Sequence, residues 1–383
     1  MSNIEHSKLP PSSASRRMAC PGSRALSEKY ARNEESESSK EGTLAHELAA
    51  NSIARNRFIG MHPSYTEEMH DGAKAYKEVV LKFFPDEIFE DSIDVFFVPN
   101  KNIRVEQKVD ITNVHADMWG TPDAWGVDIE NNVLHVFDYK FGFTPVDAFE
   151  NWQLIAYACG TICGYPSVSD IYLHIVQPRD YISSSKHKMW HLTSDELERY
   201  RKRLVTSEAL TMSPNAELKV NAECKYCPAR HACPALRESA LGAAELTFRG
   251  LSSTNMTPEQ IGNELKLLHD AQELLSFYVT GLETQAKHLL QTGKNIPHYE
   301  LASTSGRLSW NVDTKQVLEL GILLGVDLGK VDVLTPTQAI KKGVNEETVL
   351  KYSERKMSLK LSKVDVKKPQ EVFGKNGSNR NQQ

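Results

Sequence analysis

No run of apolar residues in the 383-residue chain approaches the ~18 that a membrane span needs. The first twenty residues, MSNIEHSKLPPSSASRRMAC, also lack the charged-then-apolar layout of a secretory signal. Both absences predict a soluble, cytosolic protein with no membrane partner. No Gly-x4-Gly-Lys-Ser/Thr phosphate loop occurs, which leaves no place for a nucleotide-driven motor of that kind. No internal repeat is evident. Cysteine is scarce, at six, and reducing surroundings argue against disulfides. Three of the six nevertheless fall within CKYCPARHAC (224–233), and such clustering points to metal or redox chemistry.

What is present is ordinary in bulk, 40% hydrophobic and 25% charged, enough for a sizeable core in one large domain or two. The net charge of −5 hides a basic end: residues 341–383 hold eleven Lys/Arg against five Asp/Glu. Such a tail suits nucleic acid, and equally a solvated, flexible end.

Helical spacing is read near Ala25–Ala31, at 42–56 (Leu44, Leu48, Ile53) and at 67–83 (Ala73, Tyr76, Val80, Phe83). Strands are predicted at 93–99, 104–112, 119–129 and 133–141, the last two joined by an Asn131-Asn132 turn. A helix over 146–162, a strand over 170–178 and a charged helix over 194–210 follow. This order predicts an α/β core rather than a bundle or a sandwich. Over 257–292, Thr257-Pro258-Glu259-Gln260 starts a long helix and Gly293 ends it. Its apolar residues at 261, 265, 268, 275, 279, 282, 286 and 289 are spaced as heptads, broken at Gln272. It packs on its own domain or meets another chain, either a homo-oligomer or a recombination partner. A short hairpin is expected at 297–311 and helices near 313–324 and 335–352. The domains predicted are 1–240, a mainly helical 241–366 and a disordered polar tail, 367–383.

The chemistry concentrates in VLHVFDYKFG. On a strand, Leu134, Val136, Asp138 and Lys140 share one side, which turns from apolar to charged. An acid and a lysine there need a partner, either each other at the surface or a metal ion with its phosphate. If the neighbouring strands pair, Asp123 converges with Asp138 on one divalent cation. Hard oxygen ligands favour Mg²⁺ or Mn²⁺ over zinc. Lys140 would then orient a nucleophile or offset developing negative charge. His46 lies among Ala45, Ala49 and Ala50, small enough for close approach to a metal. Gln153 and Tyr157 share a helix face and can donate to a phosphate or a base edge. Cys159 and Cys163, on another face, are read as core thiols.

In order, Gly42-Thr-Leu-Ala-His46, Gly120-Thr-Pro-Asp123, Asp138-Tyr-Lys140 and Gln153-x3-Tyr157 resemble the PD-(D/E)XK nucleases of the RecB type. More narrowly, the chain is similar to the branch with an iron–sulfur cluster, which includes CRISPR-adaptation nucleases and the AddB nuclease domain. SSASRRMACPGS further resembles phage-associated members of that branch. The likeness covers roughly residues 10–240. It implies a restriction-endonuclease-like core, a mixed central sheet flanked by helices, to which the helical spacing after residue 240 adds a C-terminal mainly helical extension. It implies His46, Asp123, Asp138 and the Tyr139 backbone carbonyl as metal ligands, Lys140 as the catalytic lysine, and Gln153 with Tyr157 holding DNA. Glu106 stands where relatives often have an acidic residue and is expected to support the ligands from behind. The implied activity is Mg²⁺- or Mn²⁺-dependent DNA hydrolysis, as an exonuclease on single strands or duplex ends serving recombination or replication in a phage's host cytoplasm. An endonuclease or flap nuclease on the same residues is the alternative, as is a silent DNA-binding or assembly protein. Ala124-Trp125 departs from the small apolar residues more usual after the middle acid.

Cys224-x2-Cys227-x5-Cys233 supplies three thiolates. A structural Zn²⁺ site would add neighbouring His231, whereas a four-iron cluster takes a fourth thiolate, for which Cys20 remains. The resemblance, with one early cysteine and three late ones, implies a 4Fe–4S cluster on Cys20, Cys224, Cys227 and Cys233.

Overall fold

The computed structural model describes residues 7–30, 37–54, 64–90, 95–98, 100–248, 256–312, 314–328 and 334–363. The expected tail, 367–383, and the edges of the strand expected over 93–99 lie outside them. The chain divides into two compact units, residues 1–278 and 279–383.

Among the described residues the first unit opens with the α-helices α1 (Ala14–Ala19), α2 (Ser23–Tyr30), α3 (Glu37–Ala54) and α4 (Glu67–Phe83). Thr66 caps α4 by accepting from the Met69 N–H. Seven strands follow: β1 (Glu87–Glu90), β2 (Val95–Val98), β3 (Ile103–Val105), β4 (Val109–Asp110), β5 (Trp119–Gly120), β6 (Ala124–Asp128) and β7 (Val133–Tyr139). Next come α5 (Trp152–Thr161), β8 (Asp170–Val176), β9 (His187–Thr193), α6 (Ser194–Thr211), α7 (Pro234–Phe248) and α8 (Pro258–Gln291), whose residues from Val279 on belong to the second unit. The central sheet runs β3-β6-β7-β8-β9, antiparallel except for the β7–β8 pair. It is the mixed, helix-flanked sheet expected from the sequence.

Alternation along β7 builds both faces of the sheet. Leu134 and Val136 pack with Leu154 and Ala158 of α5 and Leu204 of α6. Phe137 and Tyr139 point the other way, onto Ala45 and Leu48 of α3 and Tyr76 and Val80 of α4. Trp125 and Ala124 divide between the same two cores, so the unusual Ala-Trp pair is absorbed by ordinary packing. Among the polar residues, Arg17 of α1 makes a buried bidentate pair with Glu208 of α6, at 2.8 Å from both Nε and Nη2. A third bond, Arg17 Nη1 to the Pro10 carbonyl at 2.9 Å, ties in the segment before the helix.

Three imidazoles cross the α4 side of the sheet in a hydrogen-bonded row, His135 Nδ1 to His174 Nε2 and His174 Nδ1 to His187 Nε2, each at 3.0 Å. Phe83 packs against the rings of all three. Burial lowers the pKa of each below the usual histidine value, His135 to about 4. An unfolded chain takes up these protons below about pH 6.5 while the folded one does not, so stability is full above that pH and falls towards pH 4. From 6.5 to about 4, His135 alone accounts for roughly 3 kcal/mol at 1.36 kcal/mol per pH unit. Urea unfolding followed from pH 7 to pH 4 should lose at least that much, with a shallower slope in His135→Gln.

Several sequence expectations need correcting. The strand expected over 104–112 is two, because Glu106 takes a left-handed φ of 47° and breaks it. The helix expected from 146 starts at 152, where the Asn151 side chain caps the Gln153 and Leu154 N–H groups. Cys159 is a core thiol, but Cys163 is exposed, since α5 has ended at Thr161. The capping box expected at the start of α8 is present, with Thr257 and Gln260 bonded reciprocally. Phe277 of α8 packs against Cys224, Cys233 and Leu236, whereas Ile261, Leu265, Leu268 and Leu275 of its heptad seam are exposed.

The second unit pairs β10 (Tyr299–Trp310) antiparallel with β11 (Ser353–Lys363). The helices α9 (Thr314–Leu324), α10 (Pro336–Lys341) and α11 (Glu346–Lys351) lie between them in the chain. The hairpin expected at 297–311 is therefore one long strand with a distant partner, and the helix expected over 335–352 is two. Val317, Leu328, Ala339 and Val349 form its small core. Among the described residues no helix is long and apolar enough to cross a membrane.

Candidate active site and cysteine site

Asp138 closes the apolar side of β7, 3% exposed, below the first turn of α5. Lys140 Nζ lies 2.8 Å from its Oδ2 and donates to its Oδ1 at 3.1 Å. Gln153, in the first turn of α5, completes a triangle: its Nε2 donates to Asp138 Oδ1 at 3.0 Å and its Oε1 accepts from Lys140 at 3.2 Å. Burial pushes the Asp138 carboxyl above the usual carboxylate range, opposed by the Lys140 charge. Asp138 Oδ2 is buried and faces the Lys140 ammonium as its ion-pair partner, without a well-directed hydrogen bond.

Asp123 stands in the break between β5 and β6 and joins the two halves of the site. Its Oδ1 is 3.0 Å from His46 Nδ1 on α3, and its Oδ2 accepts the Tyr139 N–H at 2.6 Å. Burial disfavours the His46 imidazolium, but the Asp123 and Asp138 charges outweigh it and raise its pKa. Glu106, turned by its left-handed φ, donates its N–H to the Asp123 carbonyl at 3.1 Å. Partial burial of its carboxyl and then the Asp123 charge push its pKa up to about 7. Ligand atoms of His46, Glu106 and Asp123 all lie within 4.8 Å of one another. They line a cleft of about 850 Å³ with Gly42, Thr43 and Glu47 of α3.

The structure thus brings together His46, Asp123, Asp138, Tyr139, Lys140 and Gln153. Glu106 stands beside the other ligand atoms rather than behind them, and only its backbone conformation, which sequence does not display, reveals this. Tyr157 is buried and its hydroxyl donates to the Thr121 carbonyl at 3.1 Å, so it braces the Asp123 turn. A Cβ at Gly120 would sit 2.8 Å from Pro11 and 3.0 Å from the Tyr157 ring, so that turn has room only for glycine. Gln153 likewise faces inward, onto the Asp138–Lys140 pair.

Residues 6–342 match the family described as "Protein of unknown function (DUF2800)". The chain belongs to the DUF2800 family. In this DUF2800 chain the matched span holds the whole cleft and all four cysteines expected to act as ligands.

Those cysteines line one recess. Cys20 ends α1, and Cys224, Cys227 and Cys233 precede α7; all are free, buried thiols. Backbone N–H groups point at the sulfurs: Lys219 at Cys20 (3.3 Å), Asn221 at Cys224 and Leu236 at Cys233 (both 3.5 Å). Burial raises the Cys20 and Cys224 thiols above their ordinary value, with neighbouring thiols adding to it. Backbone donors aimed at sulfur would steady thiolates around a metal site of either kind. His231 does not line the recess.

Proposed function

We propose that this chain is a metal-dependent DNA exonuclease of the RecB-like PD-(D/E)XK type. The observation that carries the reading is the meeting of His46, Glu106 and Asp123 beside buried Asp138 and its partner Lys140, at one end of the β6–β7 pair. Three carboxylates and an imidazole form a hard donor set suited to Mg²⁺ or Mn²⁺. His46, Glu106, Asp123, Asp138 and the Tyr139 carbonyl would hold the ion. A bound ion of this kind acidifies water and offsets phosphate charge. Lys140, fixed by Asp138 and Gln153, orients the attacking water and faces the charge that builds on the phosphate. The four cysteines would carry a 4Fe–4S cluster that fastens the N-terminal segment to the domain.

End-labelled linear DNA and covalently closed circles, each with Mg²⁺ or Mn²⁺, test the reading. Loss of label from linear DNA with circles intact is expected. Cut circles would favour an endonuclease, and no cleavage of any substrate would leave a silent DNA-binding protein.

A further inference from the structure

Gln153 and Tyr157, the residues expected to hold DNA, both face inward, so a strand entering the cleft must be held elsewhere. The connection between Lys140 and α5, residues 141–151, exposes two large aromatics, Phe143 at 59% and Phe149 at 62%. Each is backed by a ring from beyond β8. Tyr181, 70% exposed, stacks on Phe143 (6.3 Å, 28°), and Trp190 meets Phe149 edge-on at 5.2 Å. Cations interleave with the first pair: the Arg179 guanidinium lies 4.7 Å over Phe143, and Lys186 Nζ lies 5.7 Å from the Tyr181 ring centre.

The connection is held firmly. Gln177, buried, donates to the Gly142 and Thr144 carbonyls at 2.7 and 2.8 Å and accepts the Val146 N–H at 2.9 Å. Lys188 donates to the Val146 carbonyl at 2.7 Å. Arg179 is pinned by Glu41 and Glu68 at 2.8 and 2.6 Å, and Glu41 lies between Ser39 and Gly42, which line the catalytic cleft. Single exposed phenylalanines are common on surfaces. Two, each paired with another ring, on a braced loop running directly from the catalytic lysine, form a more particular arrangement. Rigid, exposed aromatic faces suit unpaired bases, because every base has a π-face.

We infer that the 141–151 connection, with Tyr181 and Trp190, is a stacking platform for the unpaired bases of the DNA strand entering the cleft. This rests on the nuclease reading for its DNA substrate. Binding to full-length Asp138→Asn protein, by fluorescence anisotropy, tests it without cleavage. The probes are a labelled oligothymidine, an abasic strand of equal length and a blunt duplex. Oligothymidine should bind more tightly than the abasic strand. Phe143→Ala with Tyr181→Ala should weaken it on the order of tenfold or more and leave the abasic strand and the duplex unchanged. Phe143→Trp should restore most of the loss. Equal affinity of parent protein for oligothymidine and the abasic strand, or unchanged binding in the alanine variants, overturns the platform. Wild type that degrades DNA while those variants bind as the parent does removes the platform alone. Wild type that cleaves nothing, yet shows base-dependent binding lost in the variants, removes the nuclease reading alone.

Discussion

Asparagine in place of Asp138 is expected to lower metal-dependent DNA hydrolysis on the order of 10³-fold, the scale of losing a group that stabilises transition-state charge. The fold should survive. Gln153 can still donate to the amide oxygen, while the NH2 group that replaces Oδ2 turns away the Lys140 ammonium, which lies 2.8 Å from Oδ2. Lys140 is part-exposed and can turn its charge to solvent. Lys140→Met should behave differently. It leaves the buried Asp138 carboxylate with Gln153 as its remaining donor among the described residues, and an unpaired buried charge costs about 3–5 kcal/mol. Both variants lose activity, but only the second should also melt early. Initial rates on end-labelled linear DNA and thermal melts of both proteins check this pattern. An Asp138→Asn protein within tenfold of wild type would remove that carboxylate from the chemistry.

Serine in place of Cys20 is expected to abolish the brown colour and iron content of anaerobically purified protein. Cys20 lies far from Cys224, Cys227 and Cys233 in sequence, yet shares their recess and accepts the Lys219 N–H. Structural metal sites contribute on the order of 10 kcal/mol, and ~1 kcal/mol moves the midpoint of a domain this large by about 2–4 °C. The melting temperature should therefore fall by more than about 10 °C. His231→Ala should keep its iron, because that ring lies outside the recess. Colourless wild-type protein with one zinc per chain would reverse the choice of metal.

Much of this centre could be read from sequence because it follows local rules. Period-two alternation placed Leu134, Val136 and Asp138 on one side of β7, and the Asn131-Asn132 turn set the pairing that brings Asp123 alongside. What escaped depends on distant packing. Glu106 faces the cleft only because its backbone is held left-handed. The helix expected from 146 is a loop up to Asn151, because buried Gln177 binds the Val146 N–H and the Gly142 and Thr144 carbonyls. The strand β9 reads as polar because most of its side chains reach solvent. Likewise β10 gave no sign of its partner, which lies beyond three helices of the same unit.

The buried pairing of Arg17 with Glu208 ties α1 to α6 without drawing on any of the four cysteines. If those thiols hold the proposed cluster, this ion pair rather than the metal seats Cys20, and protein stripped of metal should keep α1 docked.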